Sequence, residues 1–440
     1  MNAEKILSTI TQNPAELEIK GVVKHGPCDE YRVVFPETPL RICPHCGSND
    51  CVKKGGRIQQ VRHIPVAKKY TFLTFHRRYY LCKSCNVSFP EPVYWLYPYA
   101  RITMALYLEI CADLQSVMSV KDVALRNGVS ESVIRHVMNS VKFDRPPHLP
   151  DTISIDEFSG HTGIWDYAKQ RWDTATFHCL IANGDMGCVF DILPSASSAL
   201  LIEYFKQYSD YERSQVRFFT CDFRPGFRLV GKTCFPNAAI CLDMFHIVRL
   251  QTDNIKDLYN AILRRARAED NEENVKLLFH AHRLLTAWKN KPAGYWSSNT
   301  RRKQERLDAI LALSDELQDA YYALQQFYTI VHSDQYAWQR IALSEWIYEH
   351  SLSPYDGMKR IVNTYRKNKE YILNAFKYNK SNAVCEGLNN RIKLLKKNGY
   401  GAHKFENFRR RILFACGSTQ FVKETYTLFS INRASGKEKQ

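Results

Sequence analysis

The chain has 440 residues, a mass of 51.2 kDa and 45% hydrophobic residues, enough for more than one buried core and roughly three domains. Its net charge of +16 is unevenly spread: residues 51–90 hold nine basic side chains and no acidic one, and residues 387–440 hold twelve basic and three acidic. Two basic patches favour a polyanion, above all nucleic acid, over two merely solvated faces. No stretch reaches the ~18 uninterrupted apolar residues of a membrane span, and MNAEKILSTITQNPAE lacks the basic and apolar regions of a secretory signal. The expectation is a soluble intracellular protein with no membrane partner. Fourteen Cys, most of them isolated, exclude a secreted disulfide scaffold and point to a metal site where they cluster.

After an N-terminal segment, residues 1–40, the first predicted module is a zinc ribbon over residues 41–100. Cys43-Pro44-His45-Cys46 and Cys82-Lys83-Ser84-Cys85 are two C-x-x-C pairs separated by 35 residues. Tetrahedral Zn²⁺ takes four soft ligands, and each such turn supplies two. Cys43, Cys46, Cys82 and Cys85 are therefore the expected ligands of one structural Zn²⁺, with Cys51, His45 and His63 as alternatives of weaker geometry. Between the pairs, YTFLTFHRRYYL is aromatic and β-branched and reads as a strand. The aromatic stretch Tyr94–Tyr99 reads as packing of the ribbon against the next module.

Residues 101–145 read as a helix-turn-helix. Ser119-Val120-Lys121-Asp122 resembles a capping box, Asn127-Gly128 ends that helix, and Ser130 is placed to cap the next, ESVIRHVMNSV. In this motif the second helix enters the major groove, which makes Ser132 and Arg135 candidate DNA contacts, beside Ser130 and Glu131. Phe143–Pro150, with three prolines, is a linker.

From residue 151 the pattern turns to strands. Thr152–Phe158 carries Asp156 within an apolar run, and Thr174–Ala182 and Gly187–Leu193 follow around the turn Asn183-Gly184-Asp185. Ser198–Tyr208 reads as a helix. Val216–Cys221 is a strand with Asp222 just beyond it, and Ala238–Leu242 is another that ends at Asp243. Three antiparallel strands, a helix and then strand–helix alternation match the ribonuclease-H-like order, giving a core in residues 151–250. Residues 251–375 are helical in pattern, with Leu307, Ile310, Leu313, Leu317, Tyr321, Leu324 and Tyr328 at spacings of three and four. They form an expected all-helical insertion before a second core segment, residues 376–440.

That second segment contains the helix with the most chemistry. At about 100° per residue, Asn390, Lys393 and Lys397 lie within about 40° of Glu386, while Leu388, Ile392 and Leu395 take the opposite face. Two-metal phosphodiester cleavage needs carboxylates that hold Mg²⁺ ions ~3.5–4 Å apart. Asp156, Asp222 and Glu386 are the acids placed to supply them, and the glycine beside Glu386, Gly387, suggests close approach by another backbone such as DNA.

The ribbon Cys43–Cys85, SIDEF with Asp156, TCDFRPGF with Asp222, PNAAICLDMFHIVR and EGLNNRIKLLKKNGYGAHKFENFRRRIL follow one another in this order. In these motifs the chain resembles insertion-sequence DDE transposases of the ISL-three family, from about residue 40 to 415. The resemblance implies that Asp156, Asp222 and Glu386 are the catalytic metal-binding triad, with two Mg²⁺ (Mn²⁺ as a substitute), and that Asp243 and His246 form a supporting D-x-x-H element. It also implies binding to the terminal inverted repeats of an element, cleavage at its 3′ ends and joining to target DNA. Arg391, Lys393, Lys396, Lys397, Lys404, Arg409, Arg410 and Arg411 are the corresponding phosphate contacts. A homodimer or higher assembly on DNA, in the bacterial cytoplasm and on the nucleoid when bound, follows from the same resemblance. The rivals are a DNA-binding regulator with a non-catalytic ribonuclease-H-like core, and a nuclease or resolvase of that fold.

Overall fold

The computed structural model describes residues 17–37, 41–97, 101–161, 165–166, 171–172, 176–291, 295–398 and 405–418. The chain divides into two compact units, one of residues 1–144 with 390–440 and the other of residues 145–389.

The first unit opens with β1 (Glu18–His25), β2 (Cys28–Val34), β3 (Cys51–Val66), β4 (Lys69–Cys82) and β5 (Ser88–Pro90), in the order β1-β2-β4-β3 with β5 on β4. The segment before residue 41 thus contributes two strands to the ribbon's own sheet. The long β3–β4 hairpin turns at Ala67 and Lys68, both at positive φ, the backbone twist that a two-residue hairpin loop requires. Alternation along β4 sends Leu73 and Phe75 inward to meet Val61 and Trp95, while β3 is a sheet edge exposed from Lys53 to Ile58. A bulge at Gly55, at φ +121°, shifts the register there.

Three helices follow: α1 (Met104–Asp113), α2 (Val120–Asn127) and α3 (Glu131–Ser140). The Ser119 hydroxyl accepts from the Asp122 N–H at 3.0 Å, and α2 ends at Gly128 with φ +62°. Ser130 differs from expectation. It makes no side-chain cap bond to α3 and pairs instead with the Ser132 hydroxyl at 2.7 Å.

The second unit holds β6 (Thr152–His161), the short pair β7 (Trp165–Asp166) and β8 (Arg171–Trp172), β9 (Thr176–Asn183), β10 (Cys188–Leu193), α4 (Ser198–Lys206), α5 (Asp210–Gln215), β11 (Phe218–Cys221), α6 (Pro225–Cys234) and β12 (Ala239–Leu242). Its main sheet runs β10-β9-β6-β11-β12. β9 is antiparallel to β6 and β10, and β11 is parallel to β6 and β12. Asp185, in the β9–β10 turn, accepts from the Thr152 N–H at 2.8 Å and its hydroxyl at 2.7 Å, fixing the start of β6. Ile153, Ile155, Phe219 and Leu242 pack from the sheet against Phe205 and Phe227 of the helices.

The helical block comprises α7 (Met244–Ala268), α8 (Glu272–Leu278), α9 (His282–Thr286), α10 (Thr300–Leu311), α11 (Asp315–Val331), α12 (Tyr336–His350), α13 (Asp356–Lys367) and α14 (Lys369–Tyr378). The periodic run Leu307–Tyr328 is two helices, because the Ser314 hydroxyl accepts from the Leu317 N–H at 3.2 Å and starts α11 afresh. Leu278, Leu285, Leu307, Tyr321 and Leu324 share a second core within this block.

The chain ends in α15 (Ala383–Asn398), which holds the division between the units at Asn389, and α16 (Phe405–Cys416). In the first unit, Phe414 of α16 joins the core of Leu106, Ile110, Val123, Ile134 and Val137.

Candidate active site and zinc centre

The four cysteines of the two knuckles converge. Their sulfurs lie within 4.8 Å of one another, and Cys43–Cys85 and Cys46–Cys82 are each separated by 3.6 Å. A Zn–S bond of about 2.3 Å in a tetrahedron puts sulfurs ~3.8 Å apart, so the thiols fit Zn²⁺ with almost no movement. Local backbone bonds hold the first turn, with Gly47 N–H donating to Cys43 O at 2.9 Å and Cys43 N–H to Ser48 O at 2.8 Å. In the second, the Cys85 N–H draws the Cys82 thiol down to about 6 against the cost of burial, while burial and the neighbouring thiols push Cys85 up to about 12, so without a cation the crowded thiols share their protons unequally. The alternatives are placed differently. Cys51 donates weakly to Ser48 O, His45 is exposed, and His63 is buried against the Thr103 hydroxyl at 2.9 Å, with burial pushing it down to about 4.

The carboxylates are assembled by the second unit's sheet. Asp156 lies on β6, Asp222 follows β11, and these strands are hydrogen-bonded neighbours in the register Thr220↔Ser154. Asp243 follows β12 and its backbone N–H donates to Cys221 O at 2.9 Å, so Asp156, in the middle of β6, lies level with the ends of β11 and β12, where Asp222 and Asp243 follow. Burial pushes Asp156 up to about 6, and the negative charges of Asp222 and Asp243 add to that rise. Asp243 caps α7, accepting from Phe245 N–H at 3.3 Å, and its other oxygen meets His246 Nδ1 at 2.7 Å. That bond, with the charges of Asp156 and Asp222, raises the His246 pKa. Asp222 accepts from the Arg224 N–H at 2.8 Å, and Arg224 is ion-paired with Glu157.

Glu386 comes from α15. The residue one turn earlier, Asn382, is buried; its Nδ2 donates to Ile155 O at 3.0 Å and its Oδ1 accepts from the Thr220 hydroxyl at 3.1 Å. One amide thus ties the start of α15 to both strands, beside Asp156 on one and two residues before Asp222 on the other. Glu386 is about 40° around the helix from Asn382. It is exposed, and among the described residues its carboxylate accepts no hydrogen bond. Gly387 faces open space, with nothing within 4 Å of a Cβ built there. Leu388, Ile392 and Leu395 are buried on the other face.

Sequence reasoning passed over Asn389. It donates Nδ2 to Asp156 Oδ2 at 2.8 Å, while its Oδ1 is buried with no partner among the described residues. An unpaired buried acceptor costs about 1–3 kcal/mol. The signal was there in outline: Asn389 lies seven residues, two helical turns, beyond Asn382 and shares its face. The adjoining thiols Cys221 and Cys385 are buried and held protonated, chiefly by desolvation, so neither is a nucleophile.

The expected phosphate contacts separate into two groups. Lys393 and Lys397 are exposed, Lys396 is partly buried, and Ser132 and Arg135 are exposed on α3; Lys404 lies outside the described residues. Arg411 is a correction. It is buried, and its guanidinium donates to Leu114 O and Ser116 O at 2.6 Å and to Met118 O at 2.8 Å, so it faces the interior and not a phosphate at the surface. Phe408, Arg411 and Phe414, three residues apart, form one inward stripe, which is why the third arginine of Arg409-Arg410-Arg411 turns in. Arg409 donates to Phe143 O, Arg410 to Asn139 Oδ1 and Arg391 to Ala415 O, so these too have internal partners.

Gly226–Thr233 has the G-x-x-x-x-G-K-T form of a phosphate-binding loop. Here the run lies within α6, and a Cβ at Gly231 would come 2.8 Å from Phe219 and 3.0 Å from Ile240. Its second glycine serves helix–sheet packing, and the run is a helix where a phosphate cradle needs a loop of free N–H groups.

The first unit thus carries a four-thiol cluster shaped for zinc, and the second carries Asp156, Asp222 and Asp243 side by side on or directly after three adjacent parallel strands. Comparison supplies the family. A DDE transposase model of the ISL3 type, described as "Transposase", matches residues 153–412, and the zinc-finger of transposase IS204/IS1001/IS1096/IS1165 matches residues 39–85. The chain belongs to the ISL3 transposase family. It is similar to the transposase for insertion sequence element IS1001 of Bordetella parapertussis, 21% identical over 382 residues, covering 86% of this chain and 89% of that one. A Lactococcus lactis subsp. lactis protein named ATP-dependent protease is 32% identical over 130 residues, which is 29% of this chain and 40% of that protein. No described helix is long and apolar enough to cross a membrane.

Proposed function

We propose that this transposase binds the terminal inverted repeats of an insertion sequence and catalyses divalent-metal-dependent cleavage and strand transfer through Asp156, Asp222 and Glu386. The observation that carries the reading is the Asn382 tie. It sets the helix bearing Glu386 across the two adjacent strands that bear Asp156 and Asp222. The sheet order β10-β9-β6-β11-β12, with three antiparallel strands followed by two parallel ones, supports a ribonuclease-H-like core, and the helical block then stands as an insertion within it.

The donor set suits Mg²⁺ or Mn²⁺. It consists of hard oxygens on rigid elements, in a cluster where burial and the charges of Asp222 and Asp243 penalise the ionised form of Asp156. Bound at these acids, two such ions would stabilise charge on the attacking and leaving oxygens of the phosphodiester. The chain's own part is positional. Glu157 N–H and Asn389 Nδ2 each hold one oxygen of Asp156, both at 2.8 Å. Asp243 fixes the ring of His246 so that Nε2 is the nitrogen left for substrate or solvent. In cleavage, a water oxygen attacks phosphorus and the element's 3′ oxygen departs. In transfer, that 3′ hydroxyl oxygen attacks a target phosphorus, displaces the target strand's own 3′ oxygen and gives up its proton, which the departing oxygen takes up.

For DNA binding, the reading assigns the helix-turn-helix role to α2 and α3, with Ser132 and Arg135 outward, and a phosphate-tracking role to the exposed edge of β3. On that edge Arg57 stacks over Tyr79 at 5.2 Å and Lys54 is exposed. Lys393 and Lys397 continue the basic face of α15 beyond Glu386. Because both ends of an element must be processed together, the active form is taken to be a homodimer or larger assembly on DNA. The test is incubation of the full chain with labelled element ends and Mg²⁺. Cleavage at the 3′ ends, followed by joining to target DNA, is the expected result. Binding without any cleavage, under conditions where zinc is retained, would favour a regulator.

A further inference from the structure

Two asparagines on one face of α15 are used differently. Asn382 is fully satisfied, with both atoms of its amide spent on β6 and β11. Asn389 is only half satisfied: Nδ2 is spent on Asp156, and Oδ1, which is buried, accepts nothing among the described residues. The assignment of the two atoms is fixed by chemistry, since only the amide nitrogen can donate to a carboxylate. A position concerned with packing alone would be served as well by Leu, which is nearly the same size and carries no acceptor to strand. The orphan is instead an amide oxygen, a hard donor of the kind that divalent cations take beside carboxylates, and it lies one amide group away from Asp156.

We infer that Asn389 belongs to the cation site: Nδ2 sets the Asp156 carboxylate, and Oδ1 is a hard oxygen ligand that the site's cation completes. This inference rests on the reading of Asp156 as a cation ligand. It adds a neutral ligand to a cluster of acids, which raises the number of oxygens offered without adding to their repulsion.

The test is Mn²⁺ binding to the zinc-loaded full chain, followed by the electron paramagnetic resonance signal of free Mn²⁺, with melting temperature recorded for each variant. Asn389→Leu is expected to weaken Mn²⁺ binding about tenfold or more with little change in melting temperature. Asn389→Asp, which keeps the oxygen, is expected to bind within about threefold of wild type or more tightly. If Asn389→Leu does not fold, Asn389→Ser, too short to reach Asp156, takes its place. Equal weakening by the Asp and Leu variants would overturn the ligand role of Oδ1. Unchanged binding in both, while Asp156→Asn abolishes it, would remove Asn389 from the site and leave the site standing. Unchanged binding in all three, Asp156→Asn included, would overturn the cation site itself.

Discussion

The zinc centre and the carboxylate cluster are built in opposite ways. The thiols sit on two short turns whose own backbone bonds shape them, and four soft ligands close around one ion and leave no open position. Asp156 on β6 and Asp222 after β11 are brought together by the sheet, and Asn382 ties the start of the helix that bears Glu386, more than a hundred residues further on, to both strands. One set of side chains is local, the other distributed over β6, the end of β11 and the start of α15. Zinc contributes folding energy where it binds, whereas the acids must be paid for by the structure around them.

That contrast can be broken at either site. The largest effect is expected from Cys82→Ser, which removes a ligand that also sits in the small core of Cys43, Tyr80 and Phe89. Metal analysis should show about one zinc per wild-type chain and none in the variant, with loss of the first unit's melting transition, because structural zinc supplies on the order of 10 kcal/mol. The transition of the second unit should survive. A folded ribbon without zinc would show that the thiols are not a closed metal site.

Next comes Asn382→Leu, which leaves Ile155 O without its donor and unlinks α15 from the strands. Chemical denaturation should show the second unit weakened by about 2–4 kcal/mol, with zinc content unaltered. No loss of stability would mean that the tie does not hold the distributed site together.

Arg411→Met should destabilise the first unit by about 1–3 kcal/mol, since three carbonyls, that of Leu114 among the buried core, lose their donor. Binding to unrelated DNA in a filter assay should hardly change, while Lys393→Ala and Lys397→Ala should each weaken it and lower its salt dependence. The reverse pattern would restore Arg411 as a phosphate contact.

A further effect, confined to acid pH, concerns His63. Its folded-state value, lowered by burial to about 4, lies below the ordinary 6.5. Between those two values the unfolded chain takes up a proton that the folded chain does not. Stability therefore falls as pH drops through that window, by at most ~1.4 kcal/mol per pH unit, and levels off below it. His63→Gln should flatten that part of the curve of melting temperature against pH.

Much of this was legible in sequence, for reasons that differ by region. Cys43–Cys46 and Cys82–Cys85 could be read because a knuckle is a local object and spacing encodes it. The strands bearing Asp156 and Asp222 could be read because apolar runs ending in an acid are short and bounded by turns. The face of α15 followed from helical period alone, and Leu388, Ile392 and Leu395 are indeed its buried side. What period could not show was which partner each polar residue meets. Asn382 and Asn389 look alike in sequence, yet one binds main chain and the other a carboxylate. Arg411 was hidden by its two arginine neighbours, although its spacing from Phe408 and Phe414 marked it as inward. Ser130 had the sequence of a cap, but the Ser132 hydroxyl competed successfully for it.

The central claim is that three distant acids act as one site, and Glu386 is its most exposed member. The most direct measurement is cleavage of labelled element ends by zinc-loaded Glu386→Gln with Mg²⁺, at a concentration where end binding matches wild type. The account expects binding to persist and cleavage to fall by about a thousandfold. Cleavage at a rate near wild type would contradict it, and would transfer the third role to Asp243.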